Sequence, residues 1–473
     1  MTRSPTKKGD RKVGIGVDFG TTNTAAAVCD GESVTLVGLE SHSPIMPSAT
    51  YIDQEFQSRT GQAAIDQYIV DNTGRTVELI PEVIGEYSKF VESNSEEPEA
   101  VQTSTQKIYG APVTDSGLQG RLFRGTKRLL GDEKVRRLLV FDQPYRLVAL
   151  IVPLLLRLQQ SVAANVGPFA HAHLGYPVNF EGRDQFRNKL ALSRLGEAYK
   201  YAGITQQSFY PEPLAATVSF IHDNPHHNAE LIFTVDFGGG TLDLCVLRRS
   251  ASSRFEVMAT HGVGLGGDHI DQLLYRKLLF PLLGEGEQWQ RRGMDREITT
   301  RFPFEDFADL LTNWAITYTL NQNKYTTPVM DCIEQGGPAR TKFERLRDVI
   351  QNNLSYLLFA CIKDFKASLS SNEVASLDIP EIDVDVSLSR AEFEVLITPL
   401  IAQFTEAVDT TIAKAGIAAG DVDLVLRTGG SSLIPAVRRV LDERFASRVV
   451  EYDPFTSVAR GLAVASWHGY TFE

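Results

Sequence analysis

Residues 236–243 read Asp-Phe-Gly-Gly-Gly-Thr-Leu-Asp, and residues 18–24 read Asp-Phe-Gly-Thr-Thr-Asn-Thr. Each stretch follows an apolar run, Leu231–Val235 or Val13–Val17, and precedes another, Leu244–Leu247 or Ala25–Val28. Apolar run, small-residue turn, apolar run is the pattern of a β-hairpin, here with an acid at the end of its first strand. Glycine lets backbone N–H groups turn toward an anion, and threonine adds a hydroxyl donor. The acid is poorly placed to meet bare phosphate but suits a hydrated Mg²⁺. Two such hairpins facing one another would grip a Mg-nucleotide polyphosphate from both sides. Two unrelated turns are the plainer alternative. The recurrence of strand, acid, glycine and threonine in one order argues against it.

At 473 residues the chain should hold at least two domains with substantial cores. Its 47 basic and 59 acidic residues leave a net charge of −12, which argues against an electrostatic nucleic-acid binder. Four cysteines, Cys29, Cys245, Cys332 and Cys361, form no C-x-x-C pair. That usage fits a reducing compartment, and a cytoplasmic protein is expected. Met1–Lys12 is polar and basic, with no apolar segment behind it, and reads as a loose tail. The longest strongly apolar stretch, Leu147–Leu158, contains Pro153 and ends near Arg157, too short to span a bilayer. No membrane or nucleic-acid partner is expected, and oligomeric state is not legible.

Alternating strands and helices predict an α/β protein with parallel sheet components. Pro144–Val166 and Arg183–Ala202 read as helices and His171–Tyr176 as a strand, with Glu92–Gln106 and Glu285–Phe302 as polar loops. Asp268–Leu283 and much of Phe304–Leu369 read as helical. Pro213 suits a first helical position, leaving Glu212 at the mouth of that helix. Val422–Leu426 reads as a strand, followed by the turn Arg427–Ser432 and a helix with Pro435 in its first turn. The duplication divides the chain into lobes of about 12–225 and 226–473, with inserted subdomains at about 52–125 and 270–360.

Other motifs weigh less. No P-loop is present, since the lysine of Gly120…Gly125-Thr126-Lys127 stands one residue late. Gly262-Val-Gly-Leu-Gly-Gly267 matches a dinucleotide fingerprint, but Asp268 and Asp271 would stand where a pyrophosphate must dock. A tight turn against a nucleotide lobe is the better reading. Asp-Phe-Gly occurs in protein kinases, yet no His-Arg-Asp loop accompanies it. His171-x-His173 and His226-His227 lack a third ligand. Lys127, in a basic cluster, reads as solvated from pattern alone. Glu212, fixed between two prolines, is equally a site carboxylate or a structural one.

Together these segments resemble the nucleotide-binding domain of the Hsp70 family, within the actin–hexokinase–Hsp70 ATPases, over nearly the whole chain. The matching stretches include Ile15–Thr22, Lys127–Gly131, Gly175–Phe180, Glu212–Ala216, Val235–Asp243, Leu265–Asp268, Leu369–Ser371, Thr428–Ser431 and Ser457–Gly461. In length and in Tyr-Pro-Val-Asn-Phe-Glu-Gly the chain is most similar to short YegD-type bacterial homologues. The resemblance implies an actin-like fold of two ribonuclease-H-like lobes with ATP or ADP and Mg²⁺ in the central cleft. It implies that Asp18 and Asp236 hold Mg²⁺ through water, while Thr21, Thr22, Gly239, Gly240 and Thr241 cradle phosphates. Lys127 would neutralise charge near the γ-phosphate, Glu212 order the attacking water, Asp243 support it, and Pro177 couple nucleotide state to lobe movement. Gly20, Asn23, Gly238, Gly266, Gly267, Asp268, Lys366, Ser370, Gly429, Gly430 and Ser431 complete the implied nucleotide contacts.

Three departures qualify this. The chain stops where Hsp70 proteins continue into a peptide-binding domain, so none is expected. Lys363 stands where the family places an acid. Ala367 and Leu433 stand where many members flank the adenine with arginine. The implied function is a slowly hydrolysing, Mg-ATP-dependent two-lobe switch of chaperone type, whose lobe closure a protein partner or client reads. A non-catalytic, reactivase-like interaction module and a small-molecule kinase are the alternatives.

Overall fold

The computed structural model describes residues 12–91, 102–115, 117–141, 143–178, 185–250, 255–292 and 297–470. The first sheet grows from the hairpin of β1 (Gly14–Phe19) and β2 (Asn23–Cys29), continued by β3 (Val34–Leu36). Helix α1 (Leu147–Val166) then leads to β4 (His171–Tyr176), and α2 (Gln185–Tyr201) to β5 (Gln206–Pro211). The strand order is β5-β4-β1-β2-β3, with Met46–Pro47 also pairing β2. β4 and β5 run parallel to β1, while β2 and β3 alternate antiparallel. Helix α3 (Glu212–Asp223) follows directly, one residue earlier than Pro213 suggests, with Glu212 as its first residue.

The second sheet repeats this plan. β6 (Leu231–Phe237), β7 (Leu242–Arg249) and β8 (Phe255–Val263) form an antiparallel meander. After α4 (Gly267–Leu274), α5 (Ser355–Ser371) and α6 (Arg390–Ala415), β9 (Leu424–Thr428) pairs parallel to β6. Helix α7 (Pro435–Phe445) then leads to β10 (Val449–Glu451), parallel to β9, and α8 (Ser457–His468) closes the repeat. The order β8-β7-β6-β9-β10 has the same directions as the first sheet. The two layers meet where α3 packs against α8. At that crossing any side chain on Gly461 would collide with the Ala215 carbonyl. Ala215, Ala216, Ala459, Ala463 and Ala465 keep both helices thin there, and all are buried in one core with Ile232 and Leu426.

α1 runs unbroken past Pro153 and Arg157 to Val166, close to the helix expected over Pro144–Val166. By length and composition alone it could cross a membrane. Instead Leu147, Leu150, Ile151, Leu154, Leu155 and Leu158 bury one face in the first core. Arg157 bonds Glu40 and the carbonyls of Leu39 and Thr60. Such a packed helix behaves as the core helix of a layered domain.

Two compact units emerge. The first comprises Met1–Tyr68, Gly120–Leu279 and Leu357–Glu473 and holds both sheets. The second comprises Ile69–Gln119 and Phe280–Tyr356. In the second unit, Arg75 pairs with Asp115 at 2.8 Å, and Phe302 packs on Phe307 and Phe343. Both stretches expected to be polar loops, Glu92–Gln106 and Glu285–Phe302, hold strand residues. Residues 102–106 belong to a strand, Gln102–Asp115, paired with Leu79–Val91, while the rest of the expected loop, 92–101, lies outside the described residues. Within Glu285–Phe302, Gln288–Arg292 pairs with Glu297–Arg301. Backbone ladders close these ribbons, and the stretches expected to be loops are themselves mostly polar. Helix α4 ends at Leu274, and the expected run to Leu283 continues as a π turn and a 3₁₀ turn. The expected N-terminal tail lies, but for Lys12, outside the described residues, as do residues 179–180 of the Gly175–Phe180 match.

Candidate functional site

The two hairpins close identically. Gly20 N–H donates to the Asn23 carbonyl at 2.9 Å, and Gly238 N–H to the Thr241 carbonyl at 3.0 Å. In both, the acid sits one residue before the end of the first strand, with Asp18 opposite Ala25 and Asp236 opposite Asp243. Both tips are braced. The Thr22 carbonyl accepts from Ser48 N–H at 2.8 Å, Gly238 from Gly267 N–H at 3.0 Å, and Gly239 from Asp268 N–H at 2.8 Å. Ser431 Oγ also donates to Gly238, at 2.9 Å. Both tips line one cavity of about 1030 Å³ within the first unit.

The wall carries nearly every residue singled out from sequence. Asp18, Gly20, Thr21, Thr22 and Asn23 come from the first hairpin, and Asp236 and Gly238–Thr241 from the second. Lys127, Pro177 and Glu212 join them, with Gly267, Asp268, Lys366, Ser370, Gly429, Gly430 and Ser431. Two do not line it. Gly266 packs behind the second tip against Gly239 and Gly240. Asp243 is buried one layer deeper, accepting from Thr241 Oγ1 at 2.8 Å and Val178 N–H at 3.2 Å. That second bond ties β7 to the residue after Pro177. Gly429 has φ +80°, and a Cβ there would stand 2.6 Å from Asp236 Oδ1, so glycine alone lets this turn pass the acid.

Lys127 is not solvated. It lies in a 3₁₀ turn, Thr126–Leu129, and its Nζ meets Glu212 Oε1 at 2.6 Å, with side-chain exposures of only 4% and 12%. Burial alone would lower its pKa, but the nearby carboxylates of Glu212, Asp18 and Asp243 hold the ammonium above its usual value. One buried cation thus faces four carboxylates. Burial, followed by the charge of Glu212, pushes Asp18 up to about 7. Burial and Glu212 likewise push Asp243 up to about 7. Burial, then Asp243 and Glu212, raises Asp236 well above the carboxylate range. A cluster so short of positive charge favours added cation.

Among the described residues no three His, Cys, Asp or Glu side chains converge as direct metal ligands. Asp18 Oδ1 is nevertheless buried without a hydrogen-bond partner among those residues. An orphaned acid oxygen in an open cavity, with Asp236 lining the same cavity, fits a hydrated divalent cation that keeps several of its waters. Asp18 and Asp236 would hold Mg²⁺ in that way.

Several wall groups escaped the sequence reading, among them Arg128, Asp271, Arg390 and Phe455. Arg128 lies over Gly240 and stands 3.7 Å from Asp268, bridging the 3₁₀ turn to the second hairpin. Asp271, almost wholly buried, pairs with Lys366 at 2.6 Å, and Lys366 also donates to the Gly267 carbonyl at 3.2 Å. This neutralises much of the lysine and gives the buried Asp271 carboxylate its counter-charge. Arg390, held by the Leu369 carbonyl at 2.9 Å, and Phe455, close to Gly430, also line the cavity, as do Lys363, Ala367 and Leu433. Arg128 adjoins Lys127 in a motif already quoted, so it was within reach; Phe455 carries no local signal.

A family model described as Hsp70 protein matches residues 187–282 and 342–467. Over 453 residues the chain is 25% identical to a protein described as chaperone protein dnaK from Cyanidioschyzon merolae. That similarity covers 95% of this chain and 61% of the relative, so the chain spans about three fifths of the relative's length. The matched spans contain Glu212, the second hairpin, Gly266–Asp268, Lys366 and Gly429–Ser431.

Proposed function

Since this chain carries an Hsp70-family nucleotide-binding domain with the actin-like ATPase fold, we propose that it binds Mg-ATP, hydrolyses it slowly and acts as a nucleotide-driven switch of chaperone type. The observation that carries this reading is the pair of matching hairpin tips in one cavity, with Lys127 and Glu212 2.6 Å apart beside them. Positioning, metal and charge stabilisation are what phosphoryl transfer to water requires. Asp18 and Asp236 orient the metal's waters, and the tips of both hairpins receive the phosphates. Lys127 meets charge building at the γ-phosphate, Glu212 orders the attacking water, and Asp243 steadies the second hairpin.

The bond from Val178 N–H to Asp243 gives the switch a mechanical link between the two sheets. A protein partner or client would read the resulting movement of lobes 12–225 and 226–473. These residues contribute the nucleotide engine. The four free cysteines support a cytoplasmic setting.

Mg-ATP is expected to raise the melting temperature. A ligand that binds only the folded chain adds about 2.7 kcal/mol at a hundredfold excess over its dissociation constant. Thermal unfolding with Mg-ATP, Mg-ADP and Mg²⁺ alone tests this. No shift with either nucleotide would overturn the reading, and binding without phosphate release would favour a non-catalytic switch.

A further inference from the structure

We propose that Phe455 is the platform on which the base of the bound nucleotide stacks, an inference that rests on the nucleotide reading above. Phe455 is 57% exposed although it lines the same cavity as the two hairpin tips. A single exposed aromatic is ordinary on a protein surface. This one, however, is held in place. Asp453 Oδ1 accepts from the backbone N–H groups of Phe455 at 3.2 Å and Thr456 at 3.0 Å. The Asp453 carbonyl accepts from Thr428 Oγ1 at 3.1 Å, and Thr428 also bonds Ser457 at 2.9 Å. The loop between β10 and α8 is thereby fastened to the end of β9, and the ring's place is set by backbone and not by core packing.

The neighbouring residues complete a slot. A Cβ built on Gly430 would lie 3.0 Å from Phe455 Cε1, so the ring lies close along the glycine backbone that continues from Gly429 beside Asp236. Leu433, Ile434, Pro435 and Ala367 add aliphatic lining to the same cavity. A planar π face beside an aliphatic wall suits a heteroaromatic base. Stacking of this kind tolerates any base, because every base presents a π face. The arrangement therefore predicts firm retention of a purine with little discrimination between adenine and guanine.

Isothermal titration of the full chain with Mg-ATP, Mg-GTP and Mg-tripolyphosphate tests this. Phe455→Ala is expected to weaken Mg-ATP and Mg-GTP about tenfold each, about 1.4 kcal/mol, while tripolyphosphate binds as in wild type. Phe455→Trp is expected to retain nucleotide affinity. Unchanged ATP affinity in Phe455→Ala would overturn the proposal. So would an equal loss of tripolyphosphate affinity, which would make Phe455 a support for the loop. A wild-type preference for ATP over GTP beyond about a hundredfold, about 2.7 kcal/mol, would also overturn it, since hydrogen-bond readout would then dominate. Failure of the wild type to bind Mg-ATP at all would instead strike the nucleotide reading beneath it.

Discussion

Lys127→Ala is expected to cut Mg-ATP turnover by about 10²–10³-fold, the usual loss when one preorganised charge-stabilising group is removed. Affinity for Mg-ATP should fall far less, because the group acts mainly on charge that develops in the transition state. Glu212→Gln should show the same split: it keeps the shape beside Lys127 but removes the acceptor for the attacking water's proton. The nucleotide-free protein should respond differently to the two changes. Lys127 and Glu212 form a buried pair 2.6 Å apart, and breaking a buried pair from one side costs about 3–5 kcal/mol. Without this close cation, the cluster of Glu212, Asp18, Asp236 and Asp243 would repel itself, so Lys127→Ala should melt well below wild type. Glu212→Gln removes one of the four acids and should be far milder. Single-turnover phosphate release, calorimetric affinity and thermal melting separate these effects. Wild-type turnover in Lys127→Ala would leave the lysine a structural role only.

The hairpins were legible because their chemistry is local. Each acid, its tip and its flanking strands lie in one short stretch, Gly14–Cys29 or Leu231–Arg249, and continuous apolar runs around a small-residue turn encode them directly. The glycine pair Gly266–Gly267 was read as a turn against the nucleotide lobe, and Gly267 N–H donates to Gly238. What escaped was made by tertiary contact. Lys127 looked like any surface lysine until the fold brought Glu212 to it from 85 residues away. Asp271 looked like a charge on a helix surface, yet it is buried against Lys366. Phe455 stands in a loop whose sequence has no periodicity, and only the cavity gives its ring a role. The strands at 102–106, 288–292 and 297–301 escape for a different reason: they are mostly polar, and backbone pairing holds them as strands.

Gly461→Val should be the most damaging substitution away from the cavity. Gly461 is the point where α8 crosses α3, and any added carbon would overlap the Ala215 carbonyl. Its neighbour there is backbone inside a second helix, so no side-chain rotation can relieve the contact. Overpacking a core usually costs about 1–3 kcal/mol and more where the backbone must move. Gly461→Ala should therefore lower the melting temperature by several degrees, and Gly461→Val by more. Gly420→Ala, with open space around it, should leave melting unchanged and serves as the control. The same crossing predicts a functional consequence. α3 begins at Glu212, so forcing the helices apart draws that carboxylate from Lys127. Gly461→Ala that remains folded should thus lose turnover while keeping most of its affinity for Mg-tripolyphosphate, which the hairpin tips hold. Wild-type melting in Gly461→Ala would show that the helices are not in close contact there. Unchanged turnover in a destabilised variant would show that Glu212 is positioned independently of the crossing.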